Sequence, residues 1–256
     1  MKPYFQNARV TLYHGDCFEF LPSLAPGSFD AAITDPPYGH NNNNGDLIAR
    51  RELALGQKDK ARAAKPRPIP NDGPEATEVF ERFCAEAARL CCCCCCCCGG
   101  GPDPQFARWA LILDRYFTFA QQVIWDKGKM GMGWHYRRST ECILVAYRKG
   151  LKRAPWYSTS RTIENIIRPG DYGIRKIIPS AKDHPTPKPV ALFEHFIRLH
   201  TPDGGTILDP FAGSGTAGVA AMRTGRKAVL VELEEQYCEM AAKRLEAESI
   251  GKATTK

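Results

Sequence analysis

Gly205-Thr206-Ile207-Leu208-Asp209-Pro210-Phe211-Ala212-Gly213-Ser214-Gly215-Thr216 is the stretch that decides the fold class. An apolar run, Gly205 to Leu208, stops at a carboxylate, and a glycine-rich turn then opens a helix expected over Ala217 to Thr224. A second apolar strand, Lys227 to Val231, ends at Glu232, and a helix from Glu235 to Glu248 follows. Strand, turn, helix, strand is a βαβ unit, and such units build mostly parallel sheets with helices on both faces. The glycines let the backbone approach a ligand, and an acid roughly 20 residues on can accept hydrogen bonds from ribose hydroxyls.

Working back towards the N-terminus, Ala31-Ala32-Ile33-Thr34-Asp35-Pro36-Pro37-Tyr38-Gly39 has the same outline with different chemistry at its end. Ala31 to Ile33 read as a buried strand, and adjacent prolines cannot donate to a sheet ladder, so pairing stops at Asp35. The prolines also stiffen the chain, so the Asp35 carboxylate, the Pro36 carbonyl and the Tyr38 ring project from the strand's carboxyl edge with little freedom. Such a set suits a flat amine. A carboxylate and a carbonyl can accept both hydrogens of an exocyclic NH2 while an aromatic face stacks on its ring. The competing reading is a proline-rich turn after a core strand.

Val10 to His14 is a short strand ending in Gly15-Asp16, and Cys17 to Leu24 reads as helical. Asp16 is thus a candidate for a cofactor's base or simply a helix cap. Residues 39–74, rich in Asn, Lys, Arg and Pro, read as a long mobile insertion beside the site. Helices are expected over Glu75 to Leu90 and Phe106 to Tyr116, the latter with Phe106, Trp109, Ala110 and Leu113 inward. Strands are expected over Gln121 to Trp125 and Glu141 to Tyr147. Of 12 cysteines, those from Cys91 to Cys98 form one unbroken run. It reads as a buried strand of small hydrophobes, with a metal site or a low-complexity artefact as alternatives.

The chain has 256 residues, enough for one sizeable α/β domain, and a formal charge of +7 that suits a polyanionic partner without proving one. No run approaches the roughly 20 apolar residues needed to cross a bilayer, and Met1 to Arg9 lacks a signal peptide's apolar centre, so a cytoplasmic protein is expected. Basic residues gather from Arg137 onward: Arg137, Arg138, Arg148, Lys152, Arg153 and Arg161 are candidate DNA contacts, with residues 151–182 as a short recognition segment. An ordinary solvated face competes with that reading. Asp183-His184-Pro185-Thr186-Pro187-Lys188-Pro189 opens a helix from Val190 to His200, and Thr186 and Lys188 near its start could hold a carboxylate.

Thr34-Asp35-Pro36-Pro37-Tyr38-Gly39, then His184-Pro185-Thr186-Pro187-Lys188-Pro189, then Asp209-Pro210-Phe211-Ala212-Gly213-Ser214-Gly215-Thr216 resemble, in that order, the beta group of amino-type DNA methyltransferases. The resemblance runs from about Val10 to Leu245. It implies a single α/β domain with the S-adenosylmethionine-dependent methyltransferase fold, circularly permuted: a seven-stranded, mostly parallel sheet with helices on both faces. The catalytic half (residues 10–150) comes first and the cofactor half (183–248) last. It also implies that Asp209, Phe211, Gly213 and Gly215 line the S-adenosylmethionine site, that Glu232 takes the ribose hydroxyls, and that Asp16 lies near the adenine moiety. Thr186 and Lys188 would approach the cofactor's carboxylate, with Asp35 beside it. Asp35, Pro36, Pro37 and Tyr38 would receive a base flipped out of double-stranded DNA.

In that family an aspartate at the first motif position leans towards adenine N6 and a serine towards cytosine N4. No cysteine here follows a proline, as the cytosine C5 chemistry would need. No metal is expected, no nuclease signature is present, and self-association into a homodimer is left open. Methylation of RNA or of a protein glutamine, and a non-catalytic DNA-binding module, are the rival readings.

Overall fold

The computed structural model describes residues 1–39, 56, 71–98, 105–129, 138–174 and 188–253, without side chains at 95–98, 119–120 and 251–253. In chain order the elements are β1 (Pro3–Gln6), β2 (Val10–His14), α1 (Cys17–Phe20), β3 (Phe29–Thr34), α2 (Ala76–Leu90), β4 (Cys91–Cys98) and α3 (Gln105–Tyr116). There follow β5 (Phe117–Asp126), β6 (Thr140–Arg148), β7 (Ile166–Ile167), α4 (Val190–His200), β8 (Thr206–Asp209), α5 (Thr216–Thr224), β9 (Lys227–Glu232) and α6 (Glu235–Ala253). Short 3-10 turns follow α1 at Leu21–Ser23 and precede α4 at Asp171–Gly173.

The described strands form one 9-stranded sheet in the order β1-β2-β9-β8-β3-β4-β6-β5-β7. The expected seven are its inner part. The additions are β1, antiparallel to β2 at one margin, and the two-residue β7, parallel to β5 at the other. From β2 to β4 every neighbour is parallel, and β6 is then inserted antiparallel to both β4 and β5. Strands from the start of the chain therefore interleave with strands from its end.

Central strands are covered on both faces, which is why they read as continuous apolar runs without alternation. In β3, Ala31 and Ile33 join a cluster with α4, α5 and α6, while Ala32 joins another with α1, α2 and α3. The cysteine run takes the expected role: β4 lies between β3 and β6, and Cys91, Cys93 and Cys94 are buried. No group of metal-ligating side chains occurs among the described residues.

Helix α2 buries Val79, Phe80, Phe83, Cys84, Ala87 and Leu90 at three- and four-residue spacing, as an amphipathic helix should. In α3 the inward stripe is Gln105, Trp109, Ile112 and Leu113. The expectation for Phe106 is corrected: it is 45% exposed, one position off that stripe. Strand β5 starts earlier than its sequence suggested, running on from α3 without a separating turn. No described helix is long and apolar enough to cross a membrane.

Candidate active site

Five parallel strands put their carboxyl ends on one edge, and the order reverses between β8 and β3, since β8 continues to β9 on one side and β3 to β4 on the other. Such a reversal opens a crevice where α/β sheets bind ligands. Asp209 ends β8, and Asp35 follows the last residue of β3. The two lie across this gap. Thr34 Oγ1 donates to Asp209 Oδ1 at 2.6 Å, joining the amine-holding strand to the glycine turn. Phe211 N donates to the same oxygen at 3.2 Å. Burial pushes the Asp209 carboxyl up to about 7 against those two hydrogen bonds, with Asp35 and Glu232 as negative neighbours.

The glycine turn is built for close approach. Gly213 and Gly215 have φ of 50° and 78°, and a Cβ on Gly215 would lie 2.9 Å from the Ala241 Cβ of α6. Arg244, one turn further along α6, donates to the Ser214 carbonyl and hydroxyl, each at 2.6 Å. Across the turn, Glu232 accepts from Gly213 N at 2.7 Å and from Glu234 N at 2.9 Å. Burial raises its carboxyl above the ordinary range despite these donors. Each oxygen retains acceptor capacity for a hydroxyl, so the donor set fits a ribose. Phe211 packs edge-on against Phe83 at 5.7 Å. Asp16 caps α1, accepting from Phe18 N at 2.8 Å, and sits where β2 reaches the same edge.

At the other lip, Pro36 and Pro37 are buried and Asp35 is half-buried. Lys188 Nζ donates to Asp35 Oδ2 at 2.7 Å, and the Tyr38 hydroxyl donates to Oδ1. Burial raises the Asp35 carboxyl; Lys188 and the Tyr38 hydroxyl oppose this, and Glu141 adds to it. Lys188, only 8% exposed, also lies 3.6 Å from Glu141 Oε2 and 5.1 Å from the Tyr38 ring centre. Lys127 reaches Glu141 Oε1 at 3.2 Å. Burial pushes the Glu141 carboxyl up, but Lys188 and Lys127 outweigh it and hold it below its ordinary value. The backbone after the prolines is held by Asp72, which accepts from Tyr38 N and Gly39 N, each at 2.8 Å, and by Gln105, which donates to the Tyr38 carbonyl.

The structure thus brings Asp16, Asp35, Pro36, Pro37, Tyr38, Lys188, Asp209, Phe211, Gly213, Gly215 and Glu232 to one edge of the sheet. Lys188 is hydrogen-bonded to the Asp35 carboxylate. Thr186, Arg137 and nearly all of the expected insertion lie outside the described residues. Arg138 stands at the root of the β5–β6 connection, on the site's edge. The other basic candidates are not gathered there. Arg148 ends the reversed strand β6, so it lies at the opposite edge, and Lys152 and Arg153 follow it towards Pro155, whose carbonyl meets His200 at 3.0 Å. Arg161 is exposed on the loop leading to β7. Glu141, Lys127, Asp72, Gln105 and Arg244 were not singled out from sequence, because each reaches its partner across 14 or more positions and belongs to none of the three motifs.

The N6_N4_Mtase family, described as DNA methylase, matches residues 29–243. YubD of Escherichia coli (strain K12), named as a methylase, is 44% identical over 245 residues, covering 91% of this chain and 88% of that one. Type II methyltransferase M2.DpnII of Streptococcus pneumoniae is 29% identical over 265 residues, 97% of this chain and 94% of that one. The crystal structure of an M1.HpyAVI–SAM complex is 25% identical with a TM-score of 0.61, covering 92% of this chain and 98% of that one. With both motif-bearing lips of the crevice inside the matched span, the chain belongs to the N6/N4 amino DNA methylase family.

Proposed function

We propose that this protein methylates the exocyclic amine of a base flipped out of double-stranded DNA, with adenine N6 as the target and S-adenosylmethionine as the donor. S-adenosylmethionine-dependent DNA methylation is the activity of the family. The observation that carries the site assignment is the hydrogen bond from Thr34 to Asp209, which ties the amine-holding strand to the cofactor turn. Adenine rests on the aspartate at position 35, where the family's cytosine N4 members more often carry serine. We place the enzyme in the cytoplasm, where its DNA substrate would be, and assign it no membrane partner.

The bound cofactor supplies an electrophilic methyl group. Glu232 would accept the ribose hydroxyls, the Gly213–Gly215 turn and Phe211 would flank the methionine side, and Asp16 would face the adenine end. On the opposite lip, Asp35 and the Pro36 carbonyl accept the two amine hydrogens, which concentrates the lone pair on nitrogen. Tyr38 stacks on the base, offsetting part of the few kcal/mol that extrusion costs. The amine nitrogen would take the methyl as its bond to the sulfonium sulfur breaks and a neutral thioether leaves, and would shed a proton, for which the burial-raised Asp35 carboxylate is a suitable acceptor. Catalysis is then mostly positioning and electrostatics, with no covalent enzyme intermediate. Arg138, on the site's edge, would meet the phosphate backbone.

The deciding experiment incubates the protein with unmodified duplex DNA and methyl-labelled S-adenosylmethionine, then analyses nucleosides. Labelled N6-methyl-2′-deoxyadenosine is expected. Label in N4-methyl-2′-deoxycytidine would reverse the base assignment, and label only in RNA or protein would refute the substrate class.

A further inference from the structure

Both oxygens of Asp35 are occupied in the structure, Oδ1 by the Tyr38 hydroxyl and Oδ2 by Lys188. A carboxylate oxygen can accept a second donor, but an arriving amine competes with these two for Asp35. If Lys188 leaves, its ammonium loses its hydrogen-bonded carboxylate in a place where the residue is only 8% exposed. Glu141 offers an alternative. Its Oε2 is buried, has no hydrogen-bond donor, and lies 3.6 Å from Lys188 Nζ, beyond normal hydrogen-bond length. Its Oε1 is held by Lys127 at 3.2 Å. A buried carboxylate oxygen left without a donor is unfavourable, so its persistence beside a flexible ammonium calls for a reason.

We propose that Glu141 is a positioning residue for methyl transfer: Lys188 passes from Asp35 to Glu141 as the target amine arrives, freeing Asp35 while the ammonium keeps a carboxylate partner. The inference rests on the methyltransferase reading. The displacement is small, since shortening 3.6 Å to the 2.7 Å of the present contact needs about 0.9 Å. Lys127 keeps Glu141 from following the ammonium back. Among the described residues, the charged and titratable groups facing Asp35 are Lys188, Tyr38, Glu141 and Asp209, and those facing Glu141 are Lys188, Lys127 and Asp35.

The test is single-turnover methyl transfer from a preformed protein–S-adenosylmethionine complex to unmodified duplex DNA, across pH, for the parent, E141Q, K127M and the double variant, with cofactor affinity from calorimetric titration. E141Q is expected to slow transfer by about 10-fold or more, with cofactor affinity within about twofold. The acid limb of its profile should move to lower pH, because removing the negative neighbour lets Lys188 hold the Asp35 proton off more strongly. K127M should slow transfer less, and the double variant no more than E141Q alone, as expected for residues acting through one another. A parent-like rate and pH profile for E141Q, or losses that simply multiply in the double variant, would overturn the proposal. Should E141Q show no cooperative thermal transition, E141D replaces it, with an intermediate rate expected and a parent-like rate counting against us. A parent protein that labels no DNA would refute the functional reading instead.

Discussion

Alanine at Gly215 and at Gly225 would separate backbone strain from contact. Both glycines are left-handed, with φ of 78° and 77°, so a Cβ at either place carries a conformational penalty of roughly 1–2 kcal/mol. Their surroundings differ. Around Gly225 a Cβ would meet nothing within 4 Å, whereas on Gly215 it would stand 2.9 Å from Ala241 Cβ and 3.2 Å from Ala241 Cα. Backbone atoms of α6 cannot yield as the end of a long side chain can, and overpacking of this kind adds roughly 1–3 kcal/mol. Gly215→Ala should thus destabilise by roughly 2–5 kcal/mol and Gly225→Ala by only 1–2. For a chain of this size each kcal/mol lowers Tm by roughly 2–4 °C, so urea unfolding and thermal scans both resolve the difference. Measured against Ala241→Gly alone, Gly215→Ala should lose the part of its penalty that comes from the Ala241 Cβ at 2.9 Å, while the approach to Cα at 3.2 Å and the φ part remain. Equal losses at the two glycines, or no recovery with Ala241→Gly, would refute the idea that α6 sets the depth of the cofactor turn.

Asp35→Ala is expected to lower methyl transfer by at least roughly 100-fold while S-adenosylmethionine binding is largely kept, read by label incorporation and by cofactor titration. Arg244→Ala frees the Ser214 carbonyl and hydroxyl and should raise the KM for S-adenosylmethionine by about 10-fold with kcat at saturation little changed, checked by steady-state kinetics. Asp209 sets a pH trend in stability. Its folded carboxyl, pushed up to about 7 from a usual 3.8, binds a proton more tightly than the unfolded chain does, so stability falls as pH rises between those values and levels off above. Asp209→Asn should remove that slope, worth about 1.4 kcal/mol per pH unit at its steepest, in urea unfolding from pH 5 to 8. A parent and variant with parallel stability profiles would count against it.

Much of the site was legible because its residues sit where strands stop. Asp35, Asp209 and Glu232 each follow or end an apolar run, and a parallel sheet sends all such ends to one edge. Helix α4 was readable to the residue, since Leu192, Phe193, Phe196 and Ile197 keep helical spacing throughout. What escaped depends on partners distant in sequence. Nothing near Glu141 distinguishes it from a solvated strand residue; only the packing of β6 beside β4 brings it to a lysine 47 positions on. Arg148, Lys152 and Arg153 were expected as DNA contacts from composition, which carries no direction, and the reversal of β6 sets them at the edge away from Asp35. The Phe106 error arose from phase: apolar residues allowed two neighbouring stripes, and the Gln105 bond to the Tyr38 carbonyl belongs to the other.

The interleaving of strands has a consequence for how the protein is made. Val10 in β2 pairs with Ala228, and Ala31 in β3 with Ile207, so both early strands wait for partners translated about 175 residues or more after them. At roughly 5–20 residues per second, a ribosome leaves those backbone edges without their final neighbours for on the order of 10 seconds or longer. The middle of the sheet closes only when the last quarter of the polypeptide emerges, so a message cut short before β8 would yield a sticky fragment rather than a smaller working enzyme.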